Sequence, residues 1–115
     1  MPTHKARATS RVFAVHPGEI LKTEFMEPMG VTAYALAKAL SFPGIYDVVR
    51  GERAISADTA IRLGRYFGLP AQFWLNLQND YDLRMAEASG AGKKVKPGPA
   101  SRAGKVAARV VASAQ

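Results

Sequence analysis

The chain has 115 residues, 48% hydrophobic and 22% charged, with no Cys and two His, His4 and His16. That suits one small domain with a modest core, and it excludes a disulfide scaffold, thiol catalysis, a cysteine-ligated zinc site and a His-rich metal centre. The net charge of +7 sits at the ends, because residues 12–88 carry seven basic residues and all nine acids.

The N-terminal arm, residues 1–15, is basic through Lys5, Arg7 and Arg11. No apolar h-region follows its charges, which argues against a secretory signal, and no apolar run approaches the ~18–20 residues of a membrane span. Arg11 to Val15 reads as a short extended stretch. A domain over residues 16–88 then opens on His16-Pro17-Gly18-Glu19, a helix start with His16 as cap and Pro17 in the first helical position. Glu19 suits the positive end of the helix dipole. Ile20, Leu21 and Phe25 share a face, and Pro28 with Gly30 predicts an end near Glu27.

Thr32 is a good N-cap for a second helix carrying Leu36, Ala37 and Leu40 at helical spacing. Ser41-Phe42-Pro43-Gly44 is a turn through which no helix continues. A short third helix follows over Ile45–Arg50, stopped by Gly51. Ser56 caps a fourth helix, in which Ala60, Ile61, Gly64 and Phe67 form the expected inner stripe while Arg62 and Arg65 face water. Gly68 and Pro70 separate it from a fifth helix over Ala71–Glu87, with Phe73, Trp74, Leu77, Tyr81 and Met85 on its apolar side. A domain this small leaves some of those side chains for a homodimer surface.

The tail, residues 89–115, is rich in Gly, Ala, Lys and Pro and is expected to be disordered. Lys93, Lys94, Lys96, Arg102, Lys105 and Arg109 give it a charge of +6 without one acid. Such a segment either attracts phosphate without regard to sequence or keeps the protein in solution. Ala103, Val106, Ala107, Val110, Val111 and Ala114 interrupt this composition at helical spacing, as a stripe too weak to fold alone and suited to forming against a partner.

No catalytic triad, phosphate-cradling loop or metal-ligand spacing is present. Asp80 and Asp82, two apart on a helix, diverge. Neither catalytic residues nor a metal or cofactor is therefore expected. The second and third helices carry the stronger signal: a capped helix with small Ala37 at the crossing point, a turn at Ser41, then a short helix, as in a helix-turn-helix. An ordinary helical hairpin has the same outline.

The runs His16-Pro17-Gly18-Glu19-Ile20-Leu21, Leu36-Ala37-Lys38-Ala39-Leu40, Val49-Arg50-Gly51, Ser56-Ala57-Asp58-Thr59-Ala60 and Phe73-Trp74-Leu75-Asn76-Leu77-Gln78 resemble the HigA family of type II antitoxins. The resemblance covers residues 16–84 in order. It implies an all-α, five-helix, lambda-repressor-like helix-turn-helix domain of Xre/Cro type. It also implies a cytoplasmic homodimer that neutralises a HigB-type, RelE-like mRNA-cleaving toxin and represses its own operon by binding operator DNA. Leu77, Tyr81 and Met85 would face the second subunit, and Trp74 the core. Thr32, Tyr34, Lys38, Ser41, Gly44, Tyr46, Asp47, Arg50 and Arg53 are the candidate DNA-binding residues.

The sequence departs from the family where DNA is read. Only eight residues, Ser41–Val48, separate Leu40 from Val49, where the family pattern has two more, including polar or basic residues opening the recognition helix. Position 33 is Ala in place of a frequent glutamine. Lys38 and Arg53 suit phosphate, which positions without specifying. Asp47 opposes the phosphate field unless it accepts from a cytosine amine or pairs with an arginine. A stand-alone Xre-type regulator without a toxin is the competing reading, and a nucleoid or RNA-associated protein acting through basic tails is a third. The shortened recognition helix favours the antitoxin over the regulator, and the complete framework in 16–84 disfavours the third.

Overall fold

His16 accepts a hydrogen bond from the Gly18 amide through Nδ1 at 2.8 Å, and Pro17 follows in the first helical position. These two residues start α1 in a computed structural model that describes residues 14–114, the side chains of residues 100, 101 and 114 excepted. The basic residues of the N-terminal arm, and most of the expected extended stretch, lie outside the described residues.

Helix α1 runs through Pro17–Ile20, a π-helical stretch Leu21–Met26 and a last turn Glu27–Met29. It therefore passes the expected end near Glu27, with Pro28 inside it. Proline lacks the amide proton and presses on the carbonyl four residues back. The wider π turns immediately before it are a way to relieve that clash. Helix α2 spans Ala33–Leu40, and Thr32 Oγ1 accepts from the Ala35 amide at 3.0 Å. It ends on Ser41, a non-glycine residue at φ 52°, where the Phe42 amide bonds the Ala37 carbonyl at 3.0 Å. This is a Schellman-type stop, made with a side chain in left-handed backbone at a penalty of about 1 kcal/mol.

Helix α3 is only Ile45–Val49. Helix α4 is Ala57–Phe67, capped by Ser56, whose Oγ accepts from the Thr59 amide at 3.2 Å. Helix α5 is Ala71–Ala88 and α6 is Ala100–Ala114. The described residues thus contain six helices and no strand, one helix more than the sequence reading. The expectation of a wholly disordered tail is corrected, since Ala-rich α6 has the composition that loses least on entering a helix. It does so without burial, because every described side chain from Arg102 to Ser113 is exposed.

The core is built from Leu21 and Met26 of α1, Leu36 and Leu40 of α2, Ile45 and Val48 of α3, Ile55, Ala60 and Leu63, and Trp74 of α5. Trp74 is fully buried, as expected, with Phe25, Phe67 and Phe73 around it at ring-centroid distances of 4.9, 5.7 and 5.0 Å. The inner stripe of α4 is Thr59, Ala60, Leu63 and Gly64. Ile61, expected inside, is 53% exposed. Close approach decides the register: a Cβ on Gly64 would lie 2.5 Å from the Leu69 carbonyl oxygen, so this face lies against the turn into α5. Buried Gln78 of α5 accepts from the Ile55 amide at 2.8 Å and donates to Asp82 at 2.9 Å, fixing the loop after α3 onto α5. Gly18 does the same for α1 and α3. A Cβ there would fall 2.9 Å from the Val48 carbonyl carbon and nearer still to its oxygen.

Candidate nucleic-acid interface

Helices α2 and α3, with the loop after them, present the candidate residues. Thr32 is spent as a cap but remains exposed. Tyr34 is 65% exposed, and Lys38, one turn on, holds Nζ 5.8 Å from its ring centroid, within cation–π range. Ser41 is exposed at the corner. Gly44, immediately before α3, has the Phe42 ring against it, with Cζ 2.5 Å from where a Cβ would lie. Phe42 thus plugs the corner. Tyr46 is half-buried.

Asp47 is paired. Its carboxylate accepts from Arg50, three residues on, and from Arg53 Nη2 at 3.5 Å, while Arg50 Nε donates to Glu52 at 3.3 Å. Two arginines and two acids therefore neutralise one another on the outer side of α3. All four are exposed enough for water to screen them, yet their geometry leaves neither arginine aimed freely at phosphate.

Phe42 and Arg62 carry a contact that the sequence reading missed. The guanidinium carbons of Arg53 and Arg62 lie 5.7 and 5.9 Å from the Phe42 ring centroid. Arg62, expected to face water, donates through Nη1 to the Leu40 carbonyl at 2.7 Å and to the Ser41 carbonyl at 3.2 Å, and through Nε to Asp58 at 3.2 Å. It thereby satisfies the last carbonyls of α2 at the negative end of the dipole. The Leu40 and Ser41 carbonyls lie more than twenty residues away in the chain, so no local spacing rule announces this bridge.

His16 joins the other side of this unit. Its ring meets Tyr81 edge-on at 5.0 Å. Burial holds its imidazole below the usual histidine value, outweighing the upward pull of the Asp82 charge and of a hydrogen bond with the Arg53 backbone. The neutral ring is the form able to accept from Gly18.

The three candidate dimer residues are placed unequally. Leu77 is half-buried, packing on the core and lining a groove with Val15, Ile20, Asp80 and Arg84. Tyr81 is half-buried against His16, whereas Met85 and its neighbour Leu83 stand open at 48% and 59% exposure. No helix among the described residues is long and apolar enough to cross a membrane.

No family model matches the chain. Virulence-associated protein I of Dichelobacter nodosus is 60% identical over 76 residues, which are 64% of this chain and 70% of that protein. Antitoxin HigA-1 of Vibrio cholerae is 41% identical over 71 residues, 60% of this chain and 67% of its own. The solved Pseudomonas aeruginosa antitoxin HigA, with the higBA promoter, superposes at a TM-score of 0.70 with 47% identity, covering 74% of this chain and 98% of that one. The chain belongs to the HigA antitoxin family. Membership makes it a non-enzymatic antitoxin of helix-turn-helix type, and in this HigA chain α2 and α3 are the helix-turn-helix pair.

Proposed function

We propose that this chain neutralises a HigB-type, RelE-like mRNA-cleaving toxin and, as a cytoplasmic homodimer, binds its own operator DNA and represses its operon. The observation that carries the DNA half is the likeness to the Pseudomonas aeruginosa antitoxin solved with its promoter, combined with a capped α2, a plugged corner and α3 in helix-turn-helix order. Tyr34, Lys38, Ser41, Gly44, Tyr46, Arg50 and Arg53 are assigned to the DNA side, with Thr32 as the cap and Asp47 as the acid that holds Arg50 and Arg53. Leu77, Tyr81 and Met85 are assigned to the subunit contact. The toxin half rests on family membership.

Base readout is expected to be weak. Specificity needs several polar side chains from the first turns of the groove helix, each good bidentate pair contributing about 1–3 kcal/mol. Here that turn offers Pro43, Gly44 and Ile45, and Arg50 is engaged by Asp47 and Glu52. The preference for its own upstream DNA over random DNA is therefore set at about ten- to a hundred-fold, below the usual ~10³ or more. A competition binding assay at near-physiological salt measures this, beside growth rescue from the adjacent toxin. Rescue with weak discrimination supports the proposal. Failure to rescue together with tight operator binding would identify a stand-alone regulator instead.

A further inference from the structure

The six cations of the tail are charge that the rest of the described chain does not use. Lys93, Lys94, Lys96, Arg102, Lys105 and Arg109 are all exposed, and no acid occurs after Glu87. Among the described residues none of the six makes an ion pair, whereas Arg50, Arg53, Arg62 and Arg84 of the body are each paired with a carboxylate. With seven basic and nine acidic residues, segment 12–88 is net negative, so its long-range field opposes the approach of DNA.

Helix α6 gives part of the tail a fixed geometry. At about 100° per residue, Arg102, Lys105 and Arg109 fall within ~60° of one another on one flank, over about 10 Å of helix axis. Duplex DNA carries about six phosphates in that length. The neighbouring flank offers Ala103, Val106, Ala107 and Val110, without the Trp, Phe or Leu that anchors a helix in a lipid interface. A polyanion without an apolar phase is therefore the matching partner.

We propose that residues 93–109 are a second, sequence-independent DNA-binding element that grips the phosphate backbone beside the duplex contacted by α2 and α3. The inference rests on the reading of this chain as an operator-binding protein, and it divides the labour. The tail supplies most of the attraction, and the body supplies what selectivity there is. The motifs that carry the resemblance to the HigA family lie in residues 16–84, and the element follows them.

The test uses the full chain and a variant with all six residues changed to Gln, titrated by fluorescence anisotropy against an operator-bearing and a random duplex over a range of salt. The variant is expected to bind random duplex about tenfold or more weakly at 100 mM salt. Its log–log salt slope is expected to be shallower by up to about five, with an unchanged operator-to-random ratio. Equal slopes and affinities for the two proteins would overturn the proposal, even where the unmodified chain prefers its operator. Loss of binding to phosphatidylserine vesicles with DNA binding intact would assign the tail to membranes and also overturn it. A shallower slope in the variant, with no operator preference in either protein, would leave the tail element standing and remove the operator reading. Failure of the unmodified chain to bind either duplex would remove both.

Discussion

Replacing Gly18 with Ala would drive a methyl group into the backbone of the recognition helix. The Val48 carbonyl carbon would lie 2.9 Å from the new Cβ, with its oxygen closer, where carbon–carbon contact is comfortable at about 3.5–4.0 Å. Neither obstacle is a side chain that can rotate away. Helix α3 must therefore retreat from α1 by on the order of 1 Å, opening the layer that contains Leu21, Ile45 and Val48. Overpacking of this kind costs about 1–3 kcal/mol, whereas exchanging Gly for Ala within a helix returns about 0.5–1 kcal/mol. The backbone clash dominates because neither atom can rotate away, and a net loss of up to about 2.5 kcal/mol lowers the midpoint by up to roughly 10–20 °C at ~4–8 °C per kcal/mol for a body of this size. Calorimetry or far-UV circular dichroism measures it. Gly104→Ala serves as control: it meets open space in α6 and leaves the body's midpoint unchanged. A Gly18→Ala chain that melts at or above the temperature of the unmodified protein would refute the close approach.

Three further outcomes are expected. Ser41→Gly removes the left-handed penalty at the end of α2, stabilising by about 1 kcal/mol, or ~4–8 °C in midpoint; an unchanged midpoint contradicts the strain. Asp47→Asn frees Arg53 and leaves Arg50 held only by Glu52, changing stability by less than ~1 kcal/mol because the pairs are exposed. It also strengthens DNA binding several-fold, with a salt slope steeper by up to about two; weaker binding in the anisotropy assay would mean that Asp47 itself touches a base. For His16, burial lowers the folded value, so the unfolded chain takes up the proton first as pH falls. Its stabilising contribution is complete above the unfolded value near 6.5 and is lost as pH falls through the lowered folded value, levelling below it. Denaturant titrations across that window should show a steeper pH dependence for the unmodified chain than for His16→Asn, and matching slopes would contradict the assignment.

The caps were legible because capping is local: His16, Thr32 and Ser56 each bond an amide within three residues. Pro28 misled because a proline normally ends a helix, and the relief offered by π turns has no simple sequence signature. Ile61 and Leu63 are both apolar on α4, and periodicity alone does not choose between them. The choice follows from how closely Gly64 approaches the chain at Leu69, a tertiary fact. In the candidate interface the pairing of Asp47 with Arg50 follows from their spacing of three. The bridge from Arg62 to Leu40 and Ser41 does not, because the two ends meet only when α4 crosses the end of α2. Helix α6 was visible as a stripe, but its isolation from the core argued for disorder.

The burial of Trp74 has an optical consequence. It is the only tryptophan in the chain, and Phe25, Phe67 and Phe73 bring α1, α4 and α5 to its ring. Among the described residues its indole Nε1 has no hydrogen-bond partner, so its excited state relaxes against hydrocarbon rather than water, and emission from the folded chain lies at short wavelength. The signal moves to the red when those three helices separate. It stays silent when only α6 or the outer side of α3 changes its surroundings, which makes the chain its own reporter of scaffold integrity, independent of events at its charged surfaces.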